Sequence, residues 1–341
     1  MNKHVIDSDM ADKNILVIRP DRIGDVVLST PVFTSIRRAC PTWRITALLK
    51  PLTAELLQGH PDIDEIISLD TDEKLGLTKA WKLAKKLREK KFDIAVHLYS
   101  DFWVSLAVGH ADIPTIIGPA SKIAQIFYTD RITQKRSRSG RHETDYNLEL
   151  LDTLGIPPIR TSTLPIDAEI PALALESIDT NKKNIGIFPS MGGSALNWSF
   201  DKYAKLAKKF KEAGHNVILI CGPGDEQIID LISAKGEEGY KKVSGLTLRE
   251  FASFTAKLDL FIAPSTGPLH IASAVGTVSA GIYCPIRVCL PTRWGPIGEK
   301  DISFVPDVPI CEKCRGVDCE YHNCMERLEV ETVFNGVTEL L

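Results

Sequence analysis

"ILVIRPDRIGDVVLSTP" occupies residues 15–31. Four apolar residues run into Arg19, Pro20 and Asp21, then a Gly24–Asp25 pair, then a helix-like stretch. A short apolar run bounded by turn residues is how a strand buried on both faces reads in an α/β protein. Gly24 lets the chain turn sharply, or lets a ligand approach the backbone. Asp25 therefore stands where a buried strand gives way to a helix, and in parallel sheets ligands bind beyond the carboxyl ends of the strands. From these residues alone two readings of Asp25 stand open. It is a helix-capping acid, or it is a carboxylate with a chemical task.

The alternation continues outward from this stretch. "RITALL" (44–49), "EIISL" (65–69), "DIAVHL" (93–98) and "TIIG" (115–118) read as further buried strands. Between them, "TPVFTSIRRAC" (30–40) begins with Thr30 as N-cap and Pro31 at the first helical position. "LTKAWKLAKKLREK" (77–90) spaces Trp81, Leu83, Ala84 and Leu87 along one expected helix face. The pattern then restarts. "NIGIFPS" (184–190), "NVILICGP" (216–223), "KKVSGL" (241–246), "DLFIAPS" (259–265) and "VSAGIYC" (278–284) are strand signals. They alternate with helices at 199–214, ending at Gly214, at 247–258, opened by Thr247 and Glu250 in capping-box spacing, and at 267–276. Strands alternating with helices imply parallel sheets covered by helices. The stretch 165–183 carries few such signals and reads as a linker. The expected domains are residues 1–168 and 169–325, followed by a terminal segment 326–341.

At 341 residues, 44% hydrophobic and 25% charged, the chain has room for two globular domains. Its net charge of -3 gives no general attraction to nucleic acid. No apolar run reaches the roughly 18 residues of a membrane span. The polar beginning lacks a signal-peptide core, so a cytoplasmic location is expected. Cys40, Cys221, Cys284 and Cys289 lie in or near apolar segments and read as small buried residues.

Four loops of the second half are rich in small residues and backbone donors: 189–198, 221–227, 243–247 and 263–270. Facing one sheet edge, they would form a nest of N–H groups for a diphosphate. There is no Walker A loop, no G-x-G-x-x-G and no G-x-S-x-G elbow. P-loop NTPases, standard NAD enzymes and α/β hydrolases are set aside. One half with a candidate base and one that cradles phosphate describe a two-domain transferase.

"ILVIRPDRIGDVVLSTP" resembles the opening signature of glycosyltransferase family 9, the heptosyltransferase family. "APSTGPLHIASAVGTVSAGIYCP" (263–285) is similar to its C-terminal nucleotide-sugar signature. "FPSMGGSALNWSFDKYAKLAKKF" (188–210) and "VILICGPGDEQ" (217–227) fit the loops between. The resemblance spans roughly residues 13–340 and implies an α/β GT-B fold, two Rossmann-like domains whose parallel sheets face a central cleft. It implies an inverting transfer of heptose from an ADP-sugar to the lipopolysaccharide inner core or a related lipid-linked glycan, needing no metal for the chemistry. Asp25 would be the general base. Ser190, Gly193, Ser194, Asn197, Glu226, Leu246, Ser265, Thr266, Gly267 and His270 would line the donor site, with Glu226 on the ribose. The terminal helix would pack back on the first domain. Two positions depart from the family pattern. "SALNWSF" lacks the lysine found before the family's Trp-Pro pair, and Ser265 replaces an aspartate. The donor sugar therefore stays open. So do two alternatives, a GT-B nucleotide-sugar epimerase and a non-catalytic sugar-nucleotide-binding protein.

"RITQKRSRSGRHE" (131–143) is the one dense basic run. It is either a solvated loop or an acceptor site in which Arg136, Arg138 and Arg141, with Arg22, bind anionic groups. The same arginines could hold the protein at the cytoplasmic face of the inner membrane. Near the end, "CEKCRGVDCEYHNC" (311–324) sets Cys311, Cys314, Cys319 and Cys324 at C-x2-C-x4-C-x4-C. They read either as ligands of a structural zinc or as free, redox-labile thiols.

Overall fold

The computed structural model describes residues 12–69, 75–136, 140–193, 195–236 and 239–341. The chain divides into two units. One comprises the chain up to Arg136 together with Glu143–Thr163, and the other Leu164–Leu341 together with the short stretch ending at His142. The second unit thus begins a few residues before the expected boundary.

The described part of the first unit contains β1 (Asn14–Ile18), β2 (Arg44–Leu49), β3 (Glu65–Ser68), β4 (Ile94–His97), β5 (Thr115–Pro119) and β6 (Asp130–Ile132). They form one sheet in the order β3-β2-β1-β4-β5-β6. Every pairing is parallel. Ile15, Leu16, Val17 and Ile18 are fully buried, as a strand covered on both faces requires. The short edge strand β6, half exposed, has too little apolar character to be read from sequence. Helix Leu77–Lys90 packs on the sheet through Ala80, Leu83, Ala84 and Leu87. Trp81, expected on that face, is half exposed and instead meets the His110 ring at 4.9 Å.

The second unit repeats the plan with β7 (Asn184–Ile187), β8 (Asn216–Ile220), β9 (Lys241–Val243), β10 (Leu260–Pro264), β11 (Val278–Ile282) and β12 (Ile302–Phe304). Their order is β12-β11-β10-β7-β8-β9, again all parallel. The helix signals hold. Phe200–Glu212 is followed by Gly214 at φ +90, and Leu248–Thr255 starts with the Thr247–Glu250 capping box. The terminal helix Val330–Thr338 belongs to the second unit. Val330, Val333 and Val337 sit in the second unit's core, and the Phe334 ring lies 5.0 Å from that of Phe210. The reason is the spacing of its valines, which presents one apolar stripe to helix Phe200–Glu212.

In each unit the strand order reverses once, between β1 and β4 and between β7 and β10. The loops after those neighbouring strands diverge to opposite faces and leave a crevice at the carboxyl edge. Asp25 follows β1. Ser190 follows β7, and Ser265–Gly267 follow β10.

Candidate active site

The chain leaves β1 at Arg19, whose N–H bonds Leu48 O at 3.1 Å. After Pro20 and Asp21 it enters the single helical turn Ile23–Val27. Asp25 lies in that turn, but no side chain caps it. The Asp25 carboxylate instead accepts a hydrogen bond from Arg19 Nη2 at 2.5 Å. Asp25 makes no capping hydrogen bond, although it remains an acid in the helix's first turn.

Arg19 is almost fully buried and held from several sides. Its Nη1 donates to Leu98 O at 3.0 Å, to Glu143 Oε1 at 3.2 Å and to Asn147 Oδ1 at 3.2 Å. Asp21 lies 3.4 Å from Nη2. Glu143, itself buried, also takes Arg136 Nη1 at 2.6 Å. Arg136, Glu143, Arg19 and Asp25 thus form a line of alternating charge running into the unit. Burial disfavours the Arg19 charge, but the carboxylates of Asp25, Glu143 and Asp21 outweigh it and raise its proton affinity. Burial also raises the pKa of Asp25. The Arg19 charge opposes this, while Asp21 and Glu143 add to it. The result is a carboxylate with more than ordinary proton affinity beside a permanent cation, suited to taking a proton.

The expected acceptor residues separate. Arg22 is exposed on the turn that carries Asp25. Arg136 is not on a solvated loop but is packed against Glu143, Gln134 and the Tyr146 ring. Arg141 is exposed. Arg138 lies outside the described residues, as does Ser194 of the donor set.

Of the other expected donor residues, five meet around the β7/β10 crossover. Ser190 is buried, and its hydroxyl has no hydrogen-bond partner among the described residues. A buried hydroxyl without a partner costs free energy unless a ligand completes it. The backbone of Ser190's loop and that of β10 run side by side, with Phe188 N bonding Ile262 O at 2.9 Å. Ser265 continues β10 through a bond from its N–H to Ile282 O at 3.1 Å. Thr266 is the N-cap of helix Gly267–Ala274, and its hydroxyl makes no capping bond. A helix N-terminus is an arrangement that receives phosphate, but here Pro268 has no N–H and Leu269 N already donates to Thr266 O at 3.2 Å, so Gly267 is the N–H donor left in the first turn's opening. Gly193 holds φ +73 in the neighbouring loop, a left-handed conformation suited to glycine.

One expected donor residue does other work. The Asn197 amide donates to Pro189 O at 2.8 Å, and its oxygen accepts from Trp198 N and Tyr203 Oη. It shapes the 189–198 loop. His270 is buried in the second turn of its helix, and burial, with His142 adding, pushes its pKa down to about 3. It is neutral at pH 7, and its buried Nδ1, like the Ser190 hydroxyl, has no hydrogen-bond partner among the described residues. Glu226 is exposed at the start of helix Glu226–Lys235, and Leu246 is half-buried after β9. Lys202 does not replace the missing lysine, because its ammonium is committed to the carbonyls of Glu326 and Leu328.

Sequence reasoning missed Arg19, Glu143 and Asn147. A charged residue directly at the end of a buried strand was a signal for Arg19. Glu143 and Asn147 gave none, since their burial arises only from tertiary packing.

The doubly wound architecture of both units is that of the GT-B fold. The glycosyltransferase family 9 (heptosyltransferase) model matches residues 80–324. A Haemophilus influenzae protein, named no more specifically than as a glycosyltransferase, is 33% identical over 86% of this chain and 89% of its own. The lipopolysaccharide core heptosyltransferase OpsX of the same organism is 26% identical over 85% of this chain and 84% of its own. The structure of Escherichia coli ADP-heptose lipopolysaccharide heptosyltransferase II is similar with a TM-score of 0.77 at 20% identity, covering 96% of this chain and 98% of that one. The chain belongs to glycosyltransferase family 9, and it is a glycosyltransferase.

Proposed function

We propose that the protein transfers heptose from ADP-heptose, with inversion, to an acceptor of the lipopolysaccharide inner core. The observation that carries this is the Asp25 carboxylate: it makes no capping hydrogen bond, has raised proton affinity, and is held by Arg19. In this reading Asp25 takes the proton of an acceptor hydroxyl while that oxygen bonds the anomeric carbon. The bond from that carbon to the diphosphate oxygen breaks, and ADP leaves with the electron pair. The Ser190 hydroxyl and the Gly267 N–H at the N-terminus of helix Gly267–Ala274 meet the charge developing on the diphosphate. The chemistry then needs no metal. OpsX and heptosyltransferase II support the donor and acceptor classes.

An acceptor of this kind is membrane-embedded, so the reading puts the protein at the cytoplasmic face of the inner membrane. Among the described residues no helix is long and apolar enough to cross a membrane. Peripheral contact is supported by the exposed Ile123 and Ile126 beside Lys122.

The test is incubation of the purified protein with ADP-heptose and a heptose-deficient lipopolysaccharide core, with mass spectrometry of the acceptor. Addition of one heptose unit, lost in Asp25→Asn, supports the proposal. Donor consumed without any acceptor would indicate an epimerase. Nucleotide binding without turnover would indicate a binding protein.

A further inference from the structure

Between Asp307 and Cys324 no residue is buried, and Val317 is 82% exposed. The stretch holds no strand and no α-helix, only an isolated β-bridge from Cys311 to Ile286 and short turns such as Gly316–Asp318. Apolar burial is what normally offsets the entropy of ordering a chain, at about 1–2 kcal/mol of backbone cost per residue. Here that term is missing. Small segments of this kind are ordinarily held by a disulfide or a metal.

The segment nonetheless supports its neighbours. Leu328 O, just after it, accepts from Trp198 Nε1 at 3.0 Å and from Lys202 Nζ at 2.7 Å. It is also pinned where it starts, by Cys311 N to Pro285 O at 3.0 Å and Arg287 N to Cys311 O at 2.8 Å. Cys311, Cys314, Cys319 and Cys324 line one cavity, together with Leu196 and Asn197 of the candidate donor loop. All four are free thiols. Gly316, at φ +59, turns its N–H onto Cys314 Sγ at 3.4 Å.

We infer that Cys311, Cys314, Cys319 and Cys324 form a tetrathiolate site for one transition-metal ion of the zinc class, which cross-links this segment behind the 189–198 loop. The spacing supplies one pair separated by two residues and two more cysteines four residues apart. Four thiolates suit zinc, and iron of the same coordination. As the side chains stand, no three His, Cys, Asp or Glu among the described residues are close enough to hold an ion. A tetrahedral site needs sulfurs roughly 3.8 Å apart, from metal–sulfur bonds of about 2.3 Å. The four sulfurs would have to converge in the cavity they already line for such a site to form. Binding releases the thiol protons to solvent and involves no redox step.

The inference concerns metal content and does not depend on which sugar is transferred. The test uses the full chain, purified without chelator and without a metal-binding tag. Elemental analysis for zinc and iron should give about one ion per chain. Cys314→Ser and Cys319→Ser should each lose it, while Cys40→Ala, buried in the first unit, keeps it. In the unaltered protein, alkylation of the four thiols should be blocked until a mercurial displaces the ion into a chromogenic chelator. Trypsin should then cut after Lys313 or Arg315 several-fold faster. A metal content far below one per chain, with all four thiols alkylated in the native protein, overturns the inference. A mapped disulfide among the four does so equally.

Discussion

Arg19 Nη2 lies 2.5 Å from Asp25 Oδ1, with the arginine buried and the carboxylate at the end of β1. The pair fixes where the carboxylate can meet a hydroxyl. Asp25→Asn keeps the shape and the contact with Arg19 but cannot take a proton. We expect kcat to fall roughly 100- to 10,000-fold, the usual contribution of a positioned general base. ADP affinity, measured by calorimetry, should be unchanged, because the expected nucleotide residues all belong to the second unit. A parallel loss of nucleotide affinity would refute the division of labour between the units.

The pH profile tests the buried charges behind that pair. Asp25 must be ionised to act, and burial raises its pKa, with Asp21 and Glu143 contributing. The kcat/KM limb should therefore fall on the acid side at a pH above the ordinary aspartate value of about 3.9. Glu143→Gln removes an anion that raises the Asp25 pKa, so the limb should move to lower pH. Arg19→Met removes the opposing cation, and the limb should move to higher pH. A merely structural role would lower activity at every pH without moving the limb.

Ser190 offers a buried hydroxyl with no hydrogen-bond partner among the described residues. If it bonds the diphosphate, Ser190→Ala should weaken ADP binding by about 1.5–3 kcal/mol, the range for hydrogen bonds to charged groups. Titration with ADP, UDP, GDP and CMP in parallel should show the loss for the preferred nucleotide, expected to be ADP. An unchanged Kd would remove Ser190 from the donor site.

Much of this was legible in the sequence, for a physical reason. Strands buried on both faces leave uninterrupted apolar runs such as 14–18 and 260–263, and glycine or a capping box marks where helices begin and end. These local signals suffice to show two repeats of a parallel sheet, and hence which loops share an edge. What was hidden depends on partners distant in sequence. Arg136 reads as a solvent-facing cation until Glu143 is found beneath it. Asn197 and Lys202 sit in the expected donor loop and its following helix, but their polar atoms are taken up by Pro189, Tyr203, Glu326 and Leu328. The half-exposed Trp81 shows the same limit, since helical spacing marks a stripe but not its edges.

The terminal helix provides a stability test of the second unit alone. Val333 is fully buried among residues that include Phe210 and Leu206. Val333→Ala removes two methyl groups and leaves a cavity, which should cost about 2 kcal/mol. Urea unfolding should show an earlier midpoint with an unchanged m-value for the transition that ADP shifts to higher denaturant. A nucleotide that binds only the folded form protects the unit that holds it, so a transition shifted by ADP would identify that unit. If Val333→Ala weakens instead the transition that ADP leaves untouched, then the helix and the nucleotide site do not share one cooperative unit.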